Sequence, residues 1–139
     1  MPTANTSSVT RSTLIAAEPQ LFVSDMARSL AFYEEKLGFH LVFASGEPAF
    51  YAQVARDGAK LNLRRVEGAY FAEDFRTREP DALSATLTLD DAKPLFLKFQ
   101  MAGVAFHQPL RSEPWGARTF IVGDPDGKPD PVRRRGLND

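Results

Sequence analysis

Apolar and polar positions alternate along Ala17 to Ser24. Leu21 and Val23 share one side while Glu18, Gln20 and Phe22 share the other, which predicts a short strand between two different environments. The period then changes. Met26, Leu30, Tyr33 and Leu37 recur at helical spacing, Ser24-Asp25 offers an N-cap and Gly38 a C-terminal stop, so a helix is expected from about Met26 to Leu37. Leu41 to Ala44, Phe50 to Val54 and Lys60 to Arg64 read as strands, divided by the turn signals Ser45-Gly46-Glu47-Pro48 and Asp57-Gly58. The expected order of this half is βαβββ.

A second half follows the same plan. Residues 67–80 form a polar and aromatic stretch without periodicity, after which Leu83, Ala85, Leu87 and Leu89 alternate with Ser84, Thr86 and Thr88 as in a strand. Asp90-Asp91 then opens a helix that carries Leu95 and Phe99 and stops at Gly103, and strands are expected at Ala105 to Pro109 and Ala117 to Val122. The halves superimpose at an offset of 65 residues: Asp25 on Asp90, Ala27 on Ala92, Arg28 on Lys93, Leu30 on Leu95 and Gly38 on Gly103. Such an offset points to duplication of one supersecondary unit. The expected organisation is a disordered leader over 1–13, a first module over 14–66, a linker over 67–80, a second module over 81–132 and a basic tail over 133–139.

Composition then removes whole classes of function. The 139 residues suit one domain or two small units sharing a core, and the absence of cysteine rules out disulfides, thiolate metal sites and a cysteine nucleophile. With 17 Lys plus Arg against 18 Asp plus Glu, no overall field draws the chain to nucleic acid or to an anionic membrane. The basic run Arg133 to Arg135 reads as a solvated tail. No apolar stretch approaches the ~20 residues of a membrane span, and residues 2–13 lack the pattern of a secretory signal, so a cytoplasmic location is expected.

One stretch concentrates the chemistry. In Glu113-Pro114-Trp115-Gly116 the only tryptophan sits between two turn residues, where a large ring with one N–H is free to project into a cleft. It leads into the strand Ala117 to Val122 and then into the tight turn Asp124-Pro125-Asp126-Gly127. This combination resembles the last hairpin of the vicinal oxygen chelate superfamily, which includes glyoxalase I, extradiol dioxygenases and bleomycin-resistance proteins, and it is most similar to the bleomycin-resistance branch. Val23-Ser24-Asp25, Ser29 to Tyr33 and Leu37-Gly38-Phe39 resemble the opening of the same superfamily, and Glu18-Pro19-Gln20-Leu21 is similar to the proline-containing first strand of that branch. The resemblance runs from about Glu18 to Gly127. It implies two βαβββ modules whose curved, partly closed mixed sheet encloses a cleft, commonly completed by a second subunit.

Catalytic members of that superfamily hold a divalent metal on strands of both modules. A metal that polarises a substrate needs about three protein ligands converging at ~2.0 to 2.6 Å with a position left open. Carried over position by position, the resemblance puts Glu18 at the first ligand, Ala82 with its neighbours Leu83 and Ser84 at the second, and Pro131 where a glutamate is usual. At most one ligand survives. Lys128-Pro129-Asp130-Pro131 also replaces the expected last strand, and proline cannot donate to a ladder, which puts the eighth strand in doubt. His40 and His107, the only histidines, do not complete a ligand set. No cofactor is implied.

A binding cleft remains. Glu18 facing it brings Gln20 and Phe22 along, the polar parity of other strands nominates Asn62, Arg64, Ser84 and Thr86, and Trp115 forms an aromatic wall with Phe50 and with Tyr70 or Phe71. The expectation is a homodimeric protein that binds a small aromatic or glycopeptide-like molecule without catalysis. Two alternatives stay open: a divergent metal-dependent lyase, isomerase or dioxygenase, and a structural dimerisation module with a vestigial cleft.

Overall fold

The computed structural model describes residues 11–67, 78–79, 83–123 and 125. The first strand, β1, is Gln20–Val23, shorter than the alternation from Ala17 suggested. Asp25 caps the helix α1, Met26–Ala31, through its side chain, which accepts from the backbone N–H of Arg28 at 3.1 Å. The helix continues as a π-helical turn, Phe32–Lys36. Strands β2 (His40–Ser45), β3 (Tyr51–Arg56) and β4 (Ala59–Arg65) follow, and the four strands form one mixed sheet in the order β1-β4-β3-β2. β1 runs parallel to β4, while β3 is antiparallel to both of its neighbours. This is the βαβββ unit expected from the sequence.

The second half is less complete. Helix α2 spans Ala92–Met101, and β5 (Phe106–Ser112) pairs antiparallel with β6 (Arg118–Val122) as a separate two-stranded sheet. Leu83 to Leu89, expected as a strand, is irregular instead. The reason lies in pairing. In the first half β1 is held only by β4, the last strand of its own unit; the corresponding partner for 83–89 would follow residue 127, and no such strand is present among the described residues. That last strand, the linker residues 68–77 and the basic tail lie outside the described residues.

The repeat also needs correcting by one residue. The α2 cap is Asp91, whose side chain accepts from the Lys93 N–H at 3.3 Å, and not Asp90. Asp25 therefore matches Asp91, Met26 matches Ala92 and Tyr33 matches Phe99, an offset of 66, with the last two pairs buried in both halves. Gly38 still matches Gly103 at 65, both in the left-handed region with φ of +77° and +80° where a side chain is strained. The first helix thus holds one residue more between cap and stop. Its π-helical turn is where an additional residue is absorbed without rotating the following strand.

Both halves share one core. Leu21, Val23, Met26, Tyr33, Phe39, Val54, Leu61 and Leu63 of the first unit cluster with Phe99, Val104 and Phe106 of the second. Leu63, Val23 and Val54 are the largest apolar side chains fully excluded from solvent. A second aromatic group, Phe96, Phe99, Phe106 and Phe120, holds α2 onto the β5–β6 hairpin with ring centroids 4.8 to 6.1 Å apart. The Lys36 ammonium donates to the Ala102 carbonyl at 2.7 Å and joins the C-terminal ends of the two helical segments. No helix among the described residues is long and apolar enough to cross a membrane.

Candidate functional site

Strand alternation gives the four-stranded sheet two unlike faces. Leu21, Leu63 and Ala52 stand in register toward the core, so the neighbouring positions turn to the opposite face. There, one row reads Gln20, Asn62, Gln53 and Phe43, and the next reads Phe22, Arg64, Tyr51 and Ser45. The sheet thus gathers four of the sequence-nominated residues, Gln20, Phe22, Asn62 and Arg64, on one surface. It adds Tyr51, Gln53 and Phe43, with the Phe43 and Tyr51 rings 6.1 Å apart.

The added residues had different signals. Tyr51 and Gln53 follow from the alternation of β3 once it is paired with β4, because they oppose Arg64 and Asn62. Phe43 is hidden by an irregularity between Leu41 and Phe43, which shifts the register of β2 by one residue and turns the Phe43 ring to the same face as Gln53.

At one end of this face three polar side chains meet. The Gln53 amide, buried to 7% exposure, donates from Nε2 to Glu18 Oε1 at 3.0 Å and to Asn62 Oδ1 at 2.9 Å. An amide has two N–H donors, and both are used here. The arrangement tests whether the divalent metal of the catalytic relatives fits. Among the described residues it does not: Glu18 is the single carboxylate there, Asn62 adds one carbonyl oxygen, and a hydrogen-bond donor occupies the point where their oxygens converge. Among the described residues no three His, Asp or Glu side chains come together. His40 lies at the start of β2 and His107 is half-buried on β5.

The β5–β6 hairpin presents the tryptophan. Its neck is closed by the Glu113 N–H donating to the Ala117 carbonyl at 2.7 Å and the Gly116 N–H to the Glu113 carbonyl at 2.9 Å. The Glu113 carboxylate accepts from Thr119 Oγ1 at 2.5 Å and from Arg111 Nε at 2.9 Å, and Gln108 Nε2 donates to Thr119 Oγ1 at 3.1 Å. Those two bonds, Thr119 first and Arg111 second, hold the Glu113 carboxyl below the usual carboxylate range. Trp115, at the tip between Pro114 and Gly116, is 74% exposed.

The remaining nominated residues are dispersed. Phe50 precedes β3 and lies against the Gly46 backbone at the β2–β3 turn, away from the Gln53 row. Thr86 and Ser84 are exposed on the irregular 83–89 segment. Tyr70 and Phe71 lie outside the described residues.

The α+β scaffold thus combines one sheet face that mixes aromatic rings and hydrogen-bonding side chains with a hairpin that carries an exposed tryptophan at its tip. Residues 15–128 match the Glyoxalase/Bleomycin resistance protein/Dioxygenase superfamily, and the chain belongs to that family. It is 30% identical to TnmS3, an antibiotic binding protein from Streptomyces sp. CB03234, over 84% of this chain and 93% of that chain, with a TM-score of 0.56. It is 25% identical to the bleomycin-binding protein from bleomycin-producing Streptomyces verticillus, solved with copper(II)-bleomycin, over 84% and 93% of the two chains with a TM-score of 0.65. The bleomycin resistance determinant encoded on transposon Tn5, 22% identical over 82% and 92% with a TM-score of 0.61, shares the fold. Among curated proteins nothing matches.

Proposed function

We propose that the protein binds a small, aromatic or glycopeptide-like molecule, without transforming it, in a cleft completed by a second copy. The observation that carries this reading is the Glu18–Gln53–Asn62 triplet. Where a catalytic relative would need converging ligands for a cation, this chain has a closed hydrogen-bond set. The adjoining surface, with Phe22, Phe43 and Tyr51 among polar side chains, has the character of a site that holds a flat amphipathic ligand by stacking and a few directed bonds. Sequestration needs affinity and no reactive group.

Two features support completion by a second copy. β2 is exposed along its whole length, with Leu41, Val42 and Phe43 each at least 40% open to solvent, and Trp115 stands clear on its hairpin. TnmS3 is an antibiotic binding protein and the Streptomyces verticillus protein binds bleomycin, which makes an antibiotic the first ligand class to test.

Titration with copper(II)-bleomycin and with a neutral anthraquinone, followed by Trp115 fluorescence and by calorimetry, tests the proposal. Saturable binding that leaves the compound chemically unchanged is the expected result. A purified protein that carries stoichiometric divalent metal, and that loses both the metal and a measurable activity on chelation, would overturn it.

A further inference from the structure

We infer that the bound molecule carries an anionic group, a carboxylate or a phenolate, on its planar aromatic frame, and that Arg64 selects it. This rests on the binding reading above and adds the charge of the ligand. On the open face of the sheet Arg64 stands in register between Phe22 of β1 and Tyr51 of β3, so a guanidinium is flanked on both sides by aromatic side chains. It is exposed, and among the described residues no carboxylate pairs with it.

The other arginines of this sheet are engaged. Arg65 lies 3.6 Å from the Glu67 carboxylate, and Arg56 donates to the Leu37 carbonyl at 2.6 Å with Asp57 at 3.9 Å. Glu18, the acid at the edge of this face, takes the Gln53 amide as its partner. Among the described residues Arg64 is thus a cation with its donors uncommitted, set where a flat ring lying along Tyr51 would bring its substituents.

Guanidinium is suited to this task. It presents a planar fork of N–H donors that matches a carboxylate in two parallel bonds, and it stacks on ring faces, which an ammonium does less well. A ring inserted beside it excludes water and strengthens the pair relative to one in bulk solvent. A cationic ligand meets the opposite situation, with like charges approaching across a narrowing dielectric.

The test uses three probes on one frame, anthraquinone-2-carboxylate, anthraquinone-2-carboxamide and 2-(aminomethyl)anthraquinone, titrated by calorimetry at low salt into the full chain and into Arg64→Gln and Arg64→Lys. The native protein is expected to bind the carboxylate about tenfold or more tighter than the carboxamide, with the amine weakest. In R64Q the carboxylate-to-carboxamide ratio falls to about one at an unchanged melting temperature, and R64K restores part of the ratio. Equal affinities in the native protein, or preference for the amine, overturn the inference and leave the binding reading intact. A carboxylate preference that survives in R64Q overturns the assignment to Arg64. No saturable binding of any of the three probes overturns the inference, and it overturns the binding reading as well only where copper(II)-bleomycin also fails to bind.

Discussion

Glu113 sits at the neck of a hairpin whose tip is Trp115, with its carboxylate tied across the strands to Thr119 and along its own strand to Arg111. Both bonds favour the charged form, so the carboxyl titrates below its ordinary range in the folded protein. The sign follows from linkage: a carboxyl with a depressed folded value adds stability that is present above its unfolded value and is lost as pH falls through the folded one. Acidification below about pH 4.5 is therefore expected to loosen the hairpin. Trp115 emission and anisotropy measured from pH 7 to 3 should show this loosening in the native chain, and Glu113→Gln should flatten the dependence. A native profile no steeper than that of E113Q would mean that the carboxylate does not hold the neck.

Helix boundaries carry the next lesson. Asp90 and Asp91 are adjacent acids, and counting from the first half selects Asp90, yet the Lys93 N–H is capped by Asp91. Removing an N-cap costs about 1 kcal/mol, so Asp91→Ala should lower unfolding free energy by roughly that amount while Asp90→Ala changes it by less than about 0.5 kcal/mol, as read by urea denaturation. Equal effects of the two would return the cap to Asp90. Periodicity made the first unit legible because its strands are locally consistent and pair with one another: Gln20, Phe22, Asn62 and Arg64 were all placed on one face by alternation alone. What alternation cannot convey is a shift of phase. The additional residue in the π-helical turn and the irregularity before Phe43 each move a register by one, and neither leaves a mark in residue type. The strand expected at 83–89 failed for a non-local reason, since alternation reports a preference and a ladder needs a neighbour.

At the scale of the whole molecule the two halves have diverged in what they expose. The first sheet is closed on its core side and open at β2, while in the second half Leu83, Leu87 and Leu89 remain between 40% and 53% exposed. Surface of this kind is ordinarily covered by another chain. Light scattering on the native protein is expected to give twice the 15.4 kDa chain mass, and the pair Leu41→Lys with Val42→Lys should return it to one chain mass without unfolding it. A native protein that stays at one chain mass at micromolar concentration would remove the second copy from the proposal. The Lys36–Ala102 bond sets a different kind of limit. A positive side chain from the first half lies at the negative terminus of the second half's helix. Neither half is therefore a portable piece, and a gene fragment encoding either alone would express a chain missing its counter-charge as well as half of its interior.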